Sequence, residues 1–144
     1  MSILSVTCTT AIKAVIHLAK LEGGVKASVC DIAKAINGSE HTVGKLLQVL
    51  VKAEVICSLK GPAGGFYVTT KQKNQPIINI IYAIDGKQVF DLCGLGLSRC
   101  SSTRPCPLHN EYKLIRDAFE SLCRRSKIGK LCEMVDEGLS FLAG

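Results

Sequence analysis

Ser28-Val-Cys-Asp-Ile-Ala-Lys-Ala-Ile-Asn-Gly-Ser-Glu-His-Thr-Val-Gly-Lys-Leu-Leu-Gln-Val-Leu50 is the stretch whose reading decides the fold. Ser28 followed three residues later by Asp31 is a capping box, and Ile32, Ala35 and Ile36 then fall on one face of a short helix. Asn37-Gly38 ends that helix, because both residues tolerate the left-handed backbone that a tight stop requires. Ser39 is placed to cap a second helix, in which Val43, Leu46, Leu47 and Leu50 recur on one buried stripe. Two short helices joined by a tight turn predict a helix-turn-helix.

Just downstream, Val55–Lys60 and Phe66–Thr70 read as strands on either side of Gly61-Pro-Ala-Gly-Gly65, a β-hairpin. A hairpin directly after a helix-turn-helix is the winged-helix arrangement. The expected fold class is therefore mainly α with a small β-hairpin wing. Upstream, Ala11, Ile12, Val15, Ile16, Leu18, Ala19 and Leu21 make an apolar first helix stopped by Gly23-Gly24. Downstream, Pro76 opens a helix carrying Ile77, Ile80, Ile81 and Ile84, closed by Gly86. A long helix follows from about Tyr112 to Ser126, with Tyr112, Ile115, Phe119 and Leu122 as an apolar stripe among charges. That stripe predicts pairing with a second copy of the chain, since a two-fold protein matches palindromic DNA half-sites. A last helix is expected from about Ile128 to Leu142, presenting Leu131, Val135, Leu139 and Leu142.

Between the winged helix and the long helix lies Cys93-Gly-Leu-Gly-Leu-Ser-Arg-Cys-Ser-Ser-Thr-Arg-Pro-Cys-Pro-Leu-His109. Cys93, Cys100, Cys106 and His109 are spaced C-x6-C-x5-C-x2-H in a Gly/Ser/Pro-rich run that cannot hold a regular helix. Thiolates and a neutral imidazole suit zinc or iron, and a loop can wrap its donors around one ion or cluster. On spacing alone zinc and iron stay open. The boundaries this predicts are residues 1–86 for the winged helix-turn-helix, 87–110 for the cysteine loop, and 111–144 for the dimerisation and C-terminal helices.

The 144 residues carry 18 Lys+Arg against 12 Asp+Glu, a formal charge of +6, which mildly favours an anionic partner. With 47% hydrophobic residues but only 5% aromatic and no Trp, the core must be aliphatic. Met1-Ser-Ile-Leu-Ser-Val6 lacks the basic start of a signal peptide, and no apolar run approaches the ~20 residues of a membrane span. A cytoplasmic protein is expected, where eight cysteines point to metal or redox chemistry before structural disulfides. No Ser/His/Asp set or paired carboxylates are visible, and Gly61–Gly65 lacks the strand-to-helix context of a nucleotide loop, so an enzyme is not expected. In a winged helix the exposed early positions of the second helix, Ser39, Glu40, His41, Thr42 and Lys45, enter the major groove. Lys60, Gly61 and Gly64 at the wing approach phosphate. Cys30, Cys57, Cys123 and Cys132 fall within regular elements and read as small core or boundary residues. Cys8 sits at a helix start, where the plain reading is again a boundary residue.

The apolar first helix, Asp31-Ile-Ala33, Leu46-Leu-Gln-Val-Leu50, Leu59-Lys-Gly-Pro-Ala-Gly-Gly-Phe66, Ile84-Asp-Gly86 and the three-cysteine loop together resemble one family over nearly the whole chain. It is the bacterial iron–sulfur cluster regulator and nitric-oxide-sensitive repressor family (IscR/NsrR-type winged-helix transcription factors). The resemblance implies a homodimeric repressor on a palindromic double-stranded operator that senses redox state, nitric oxide or iron–sulfur status. It implies a 2Fe–2S or 4Fe–4S cluster on Cys93, Cys100 and Cys106, with His109 as fourth ligand and Cys8 in reserve. It also implies dimerisation through the helix of Tyr112, Ile115, Phe119 and Leu122. Against this stand a structural zinc site and a metal-free thiol switch on the same cysteines. Three departures stand out: a first cysteine gap one residue longer than the family's commonest, Glu54 where a glycine is usual, and Gly44 where related proteins place a base-reading side chain.

Overall fold

The computed structural model describes residues 3–22, 25–97 and 101–142. The capping box forms at the start of α2 (Val29–Ile36): Asp31 N donates to Ser28 Oγ at 3.2 Å and Ser28 N to Asp31 Oδ2 at 3.3 Å. Asn37 takes the left-handed backbone at φ 57°, which lets Gly38 N reach back to the Ala33 carbonyl at 2.8 Å and end the helix. α3 (Glu40–Lys52) starts immediately after, and its Val43, Leu46, Leu47 and Leu50 are buried as the periodicity predicts. Ser39 differs from expectation. It holds the N-cap position in extended conformation, but its hydroxyl makes no capping bond, so only backbone starts this helix.

α1 (Val6–Lys20) runs through the centre and packs against α2, α3, α5 (Ile78–Ile84) and α7 (Ile128–Asp136). Around it lies an aliphatic core of Val15, Leu18, Ile32, Leu47, Leu50, Ile56, Ile80 and Ile128. Burying each such side chain contributes roughly 1.5–3 kcal/mol. β1 (Cys57–Leu59) pairs antiparallel with β2 (Gly65–Tyr67) in the register Cys57–Tyr67, Ser58–Phe66 and Leu59–Gly65. Ala27 adds a further bridge to Phe66, through bonds of 3.0 and 2.8 Å. A single turn, α4 (Thr70–Lys73), follows the wing under its own capping box of Thr69 and Gln72. Neither α4 nor the 3₁₀ turn at Lys87–Asp91 is apparent from periodicity, because each is shorter than one repeat of a helical stripe.

A second, smaller apolar cluster holds Leu4, Cys8, Ile78, Ile81, Val89, Phe90 and Cys123. It seats α6 (His109–Arg125) on the 3₁₀ turn and α5, with Phe90 lying 6.1 Å from Phe119 and edge-on to Tyr82 at 6.4 Å. Ile77 N donates to the Ser126 carbonyl and Ile128 N to that of Gln75, both at 2.9 Å, so the turn after α6 is fastened to the start of α5. α7 then returns to the first core through Ile128 and Cys132. It is shorter than its sequence suggests. Gly138 at φ 73° ends it, so Leu139 and Leu142, expected on this helix, lie beyond it, and Leu139 is 70% exposed.

Candidate nucleic-acid interface and cysteine loop

The first turns of α3 present Ser39, Glu40, His41, Thr42 and Lys45 to solvent, while Val43 and Leu46 anchor the helix beneath them. His41, Thr42 and Lys45 also edge a cleft of about 370 Å³ closed by Thr7, Val49 and Ile84. Cys30, read from sequence as a core or boundary residue, is half-buried and lies near the Glu40 carboxylate. The Glu40 carboxylate raises the Cys30 thiol above its ordinary range and sets the start of α3 beside α2. Nothing in the periodicity signals it, because the pairing joins two helices across a turn. A Cβ at Gly44 would meet only Val29 Cγ1, at 3.7 Å, so the helix surface has room for a side chain that the sequence omits.

At the wing, Lys60 is exposed and Gly61 lies at φ 105° with open space around it. Gly64 has a structural reason to be glycine: a Cβ there would overlap the Leu59 carbonyl, and its N–H closes the turn to the Gly61 carbonyl at 2.9 Å. Helix and wing are joined through Glu54 and Gln72. Glu54 stands at φ 61°, with its N–H on the Val51 carbonyl and that of Val55 on Leu50, both at 3.0 Å: a left-handed C-cap built without glycine. Buried Gln72 donates Nε2 to the Glu54 carbonyl at 3.0 Å, and its Oε1 accepts from Thr69 N at 2.9 Å and Cys57 Sγ at 3.5 Å. A lone glutamine in a polar stretch carries no such signal in the sequence.

The cysteine loop leaves the 3₁₀ turn at Leu92. Cys93 is half-buried, and its Sγ accepts from Leu95 N at 3.4 Å. The Leu95 and Leu97 amides lower the Cys93 thiol below its ordinary value, and the neighbouring Cys106 side chain acts in the same direction. At the far end, the Cys106 carbonyl accepts from His109 N at 3.0 Å, and the buried His109 opens α6. Cys100 lies outside the described residues. Among the described residues no three His, Cys, Asp or Glu side chains converge as a metal-holding group. The soft donor pair of Cys93 and Cys106, with an amide on one sulfur, fits a thiolate-held ion or cluster. Cys8 is fully buried beside Cys123 in the second cluster, its thiol pushed up to about 12 by burial first and by Asp85 and Cys123 next.

The expected dimer stripe divides. Tyr112 faces Gly94 and Phe119 packs on Phe90, so both serve the chain's own interior. Ile115 and Leu122 point outward, 61% and 42% exposed, beside Leu114 at 71%. Residues three apart on a helix differ by about 60° in direction, which suffices to set neighbouring stripe positions on different faces. Among the described residues no helix is long and apolar enough to cross a membrane.

The profile of the Rrf2 family, described as "Iron-dependent Transcriptional regulator", matches residues 4–134. A protein of Aquifex aeolicus (strain VF5) assigned as an HTH-type transcriptional regulator is 26% identical over 111 residues, 76% of this chain and 77% of that one. Among solved structures, CymR (YrzC), titled the global cysteine regulator of B. subtilis, superposes with a TM-score of 0.75 at 22% identity, covering 92% of this chain and 98% of CymR. The IscR of T. potens gives 0.72 at 18% identity, covering 95% and 90%. At those identities the two structures show a shared winged-helix fold.

Proposed function

Because the chain belongs to the Rrf2 family of transcriptional regulators, we propose that it is a cytoplasmic homodimeric repressor whose affinity for a palindromic operator follows the state of its cysteine loop. α3 enters the major groove through Ser39, Glu40, His41, Thr42 and Lys45, and the wing reaches the backbone with Lys60, Gly61 and Gly64. The copies pair through the outward face of α6, where Leu114, Ile115 and Leu122 lie exposed. Residues 1–86 then form the reading unit and 87–110 the sensing loop.

The observation that carries the sensing role is that both ends of the loop are fastened to the root of α6, the Leu92 carbonyl before Cys93 by Arg116 Nη1 and the Cys106 carbonyl by His109 N, with an amide on the Cys93 sulfur. Cys93, Cys100, Cys106 and His109 would hold a 2Fe–2S or 4Fe–4S cluster, with Cys8 in reserve only if its buried thiol were freed. Such a group supplies one-electron redox chemistry and sensitivity to oxidants and nitric oxide. The protein's own part is to offer two neighbouring cysteines and an amide to one sulfur, and to join both ends of the loop to the same helix. The same adjacency favours a second reading, a metal-free switch. A peroxide would oxidise the Cys93 thiolate to a sulfenic acid, releasing water or alcohol, and the Cys106 thiol would displace water to close a disulfide.

Purification without oxygen, with visible absorption and assays of iron, zinc and sulfide, tests the first reading. Coloured protein with matched iron and sulfide, lost in Cys106→Ala, is expected. Colourless protein with stoichiometric zinc overturns it in favour of a structural zinc site. Neither metal bound, even after anaerobic reconstitution, leaves the thiol switch. Operator duplexes selected from a random pool should then bind the two loop states about 100-fold differently, equivalent to about 2.7 kcal/mol of coupling. Equal affinity would overturn the sensing role whatever the loop holds.

A further inference from the structure

Arg116 is 5% exposed on a helix whose neighbouring charges, Lys113, Asp117 and Arg124, stand in solvent. Sinking a guanidinium is costly unless its donors are used. Its Nη1 donates to the Leu92 carbonyl at 2.8 Å, 24 residues back in the chain. That carbonyl belongs to the residue just before Cys93. One turn earlier on α6, Tyr112 lies under the residue just after Cys93: a Cβ at Gly94 would sit 2.8 Å from Tyr112 Cγ, so only glycine lets the backbone rest on the ring. One turn earlier again, His109 N holds the Cys106 carbonyl at 3.0 Å. His109, Tyr112 and Arg116 form the inward ridge of α6, and the outward ridge carries Ile115 and Leu122.

We propose that Arg116 is a positioning residue which, together with the Tyr112–Gly94 contact, clamps the backbone on both sides of Cys93 onto α6 and so transmits the loop's state to that helix. The proposal rests on the reading of the loop as the sensing element and names the part that makes its state felt elsewhere. A sulfur that shifts to take a ligand moves a backbone gripped on either side, and the strain passes into α6. A freely hanging loop would absorb the same shift in its own torsions.

Amide hydrogen exchange over residues 110–122 of the full chain reads this directly, before and after loading with zinc ion alone and, separately, with iron plus sulfide under anaerobic reducing conditions. In the natural sequence, loading should change exchange there by at least about fivefold. Arg116→Met should still load and keep its helical circular dichroism, yet shrink the change to less than about twofold. Arg116→Lys, which retains a donor at that place, should recover part of it. If Arg116→Met does not fold, Gly94→Ala serves instead, because it lifts the loop off Tyr112 without touching the helix, and the same loss is expected. An undiminished response in a folded Arg116→Met or Gly94→Ala protein overturns the clamp, as does the absence of any response to either probe in the natural sequence. Failure to take iron while zinc still elicits the response removes the cluster reading and leaves the clamp standing.

Discussion

Replacing Glu54 by glycine should stabilise the protein, although it removes a side chain. Glu54 ends α3 at φ 61°, in the left-handed region, where a Cβ crowds the following carbonyl. That conformation costs a non-glycine residue roughly 1–2 kcal/mol. The cap itself is pure backbone: the Glu54 and Val55 N–H groups on the Val51 and Leu50 carbonyls, and the Glu54 carbonyl held by Gln72. Glycine keeps all three bonds. Its flexible unfolded chain takes back roughly 0.4–1 kcal/mol, so the net gain is about 0.5–1 kcal/mol. Unfolding entropy of about 2.1 cal/mol/K per residue over the 144 residues gives ~0.3 kcal/mol/K, hence a rise in Tm of about 2–3 °C. Thermal melts followed by far-ultraviolet circular dichroism measure it, with Glu54→Ala as the control. Alanine removes the exposed carboxylate but keeps the crowded Cβ, so its Tm should stay within about 1–2 °C of the natural protein. A lower Tm for Glu54→Gly would refute the reasoning, and a rise shared equally by Glu54→Ala would move the cost from the backbone to the carboxylate.

Lys60→Ala should weaken binding to all duplexes alike and flatten the salt dependence, by about 0.9 in the logarithmic slope for each phosphate no longer neutralised; an unchanged slope would mean the wing stands clear of DNA. Ile115→Glu combined with Leu122→Glu should give a folded monomer in sedimentation analysis, whereas Phe119→Ala should lower stability by roughly 2 kcal/mol, less than a fully buried phenylalanine, and leave the oligomer intact. The reverse pattern would mean that the two faces of α6 are misassigned. Cys8, Cys123 and Cys132 have thiols raised from 9.0 to about 12, 11 and 11 by burial. Below pH ~9 folded and unfolded chains both keep these protons; above it the unfolded chain ionises first, so Tm should hold to about pH 9 and fall as pH rises toward 11–12. Cys8→Ala should flatten that alkaline fall, and an unaltered slope would show that Cys8 does not contribute to it.

The helix-turn-helix and wing were legible because each announces itself over several residues. Ser28 with Asp31, Asn37-Gly38, the leucines at 46, 47 and 50, and the glycines at 61 and 64 all carry local rules of capping, turning and burial. The loop was legible as chemistry through its crowd of soft donors, although the fastening of its two ends to α6 by Arg116 and His109 depends on chain folding back and is written in no spacing. Ser39 looked like a cap from its position alone, yet a hydroxyl's choice of partner is settled by the geometry of the preceding turn. The stripe of Tyr112, Ile115, Phe119 and Leu122 looked like one face because periodicity reports apolarity without saying what covers it. Gln72, Cys30 and Arg116 were opaque for a shared reason. Each is a single polar side chain whose partner lies in another element, and no pattern along the chain encodes such a pairing.

The Gln72 network has a consequence for how DNA can be read. One buried amide joins the end of α3, the first wing strand and the turn that follows the wing, so the helix and the wing cannot flex independently without breaking a desolvated hydrogen bond. Reader and outrigger therefore travel as one rigid tile. In the proposed dimer, a change in the angle between the two subunits would slide whole tiles along the groove: it would alter which separation of half-sites is favoured and leave the preference within each half-site alone. In such a molecule the spacing of the operator, more than its letters, is the quantity a sensing event would rewrite.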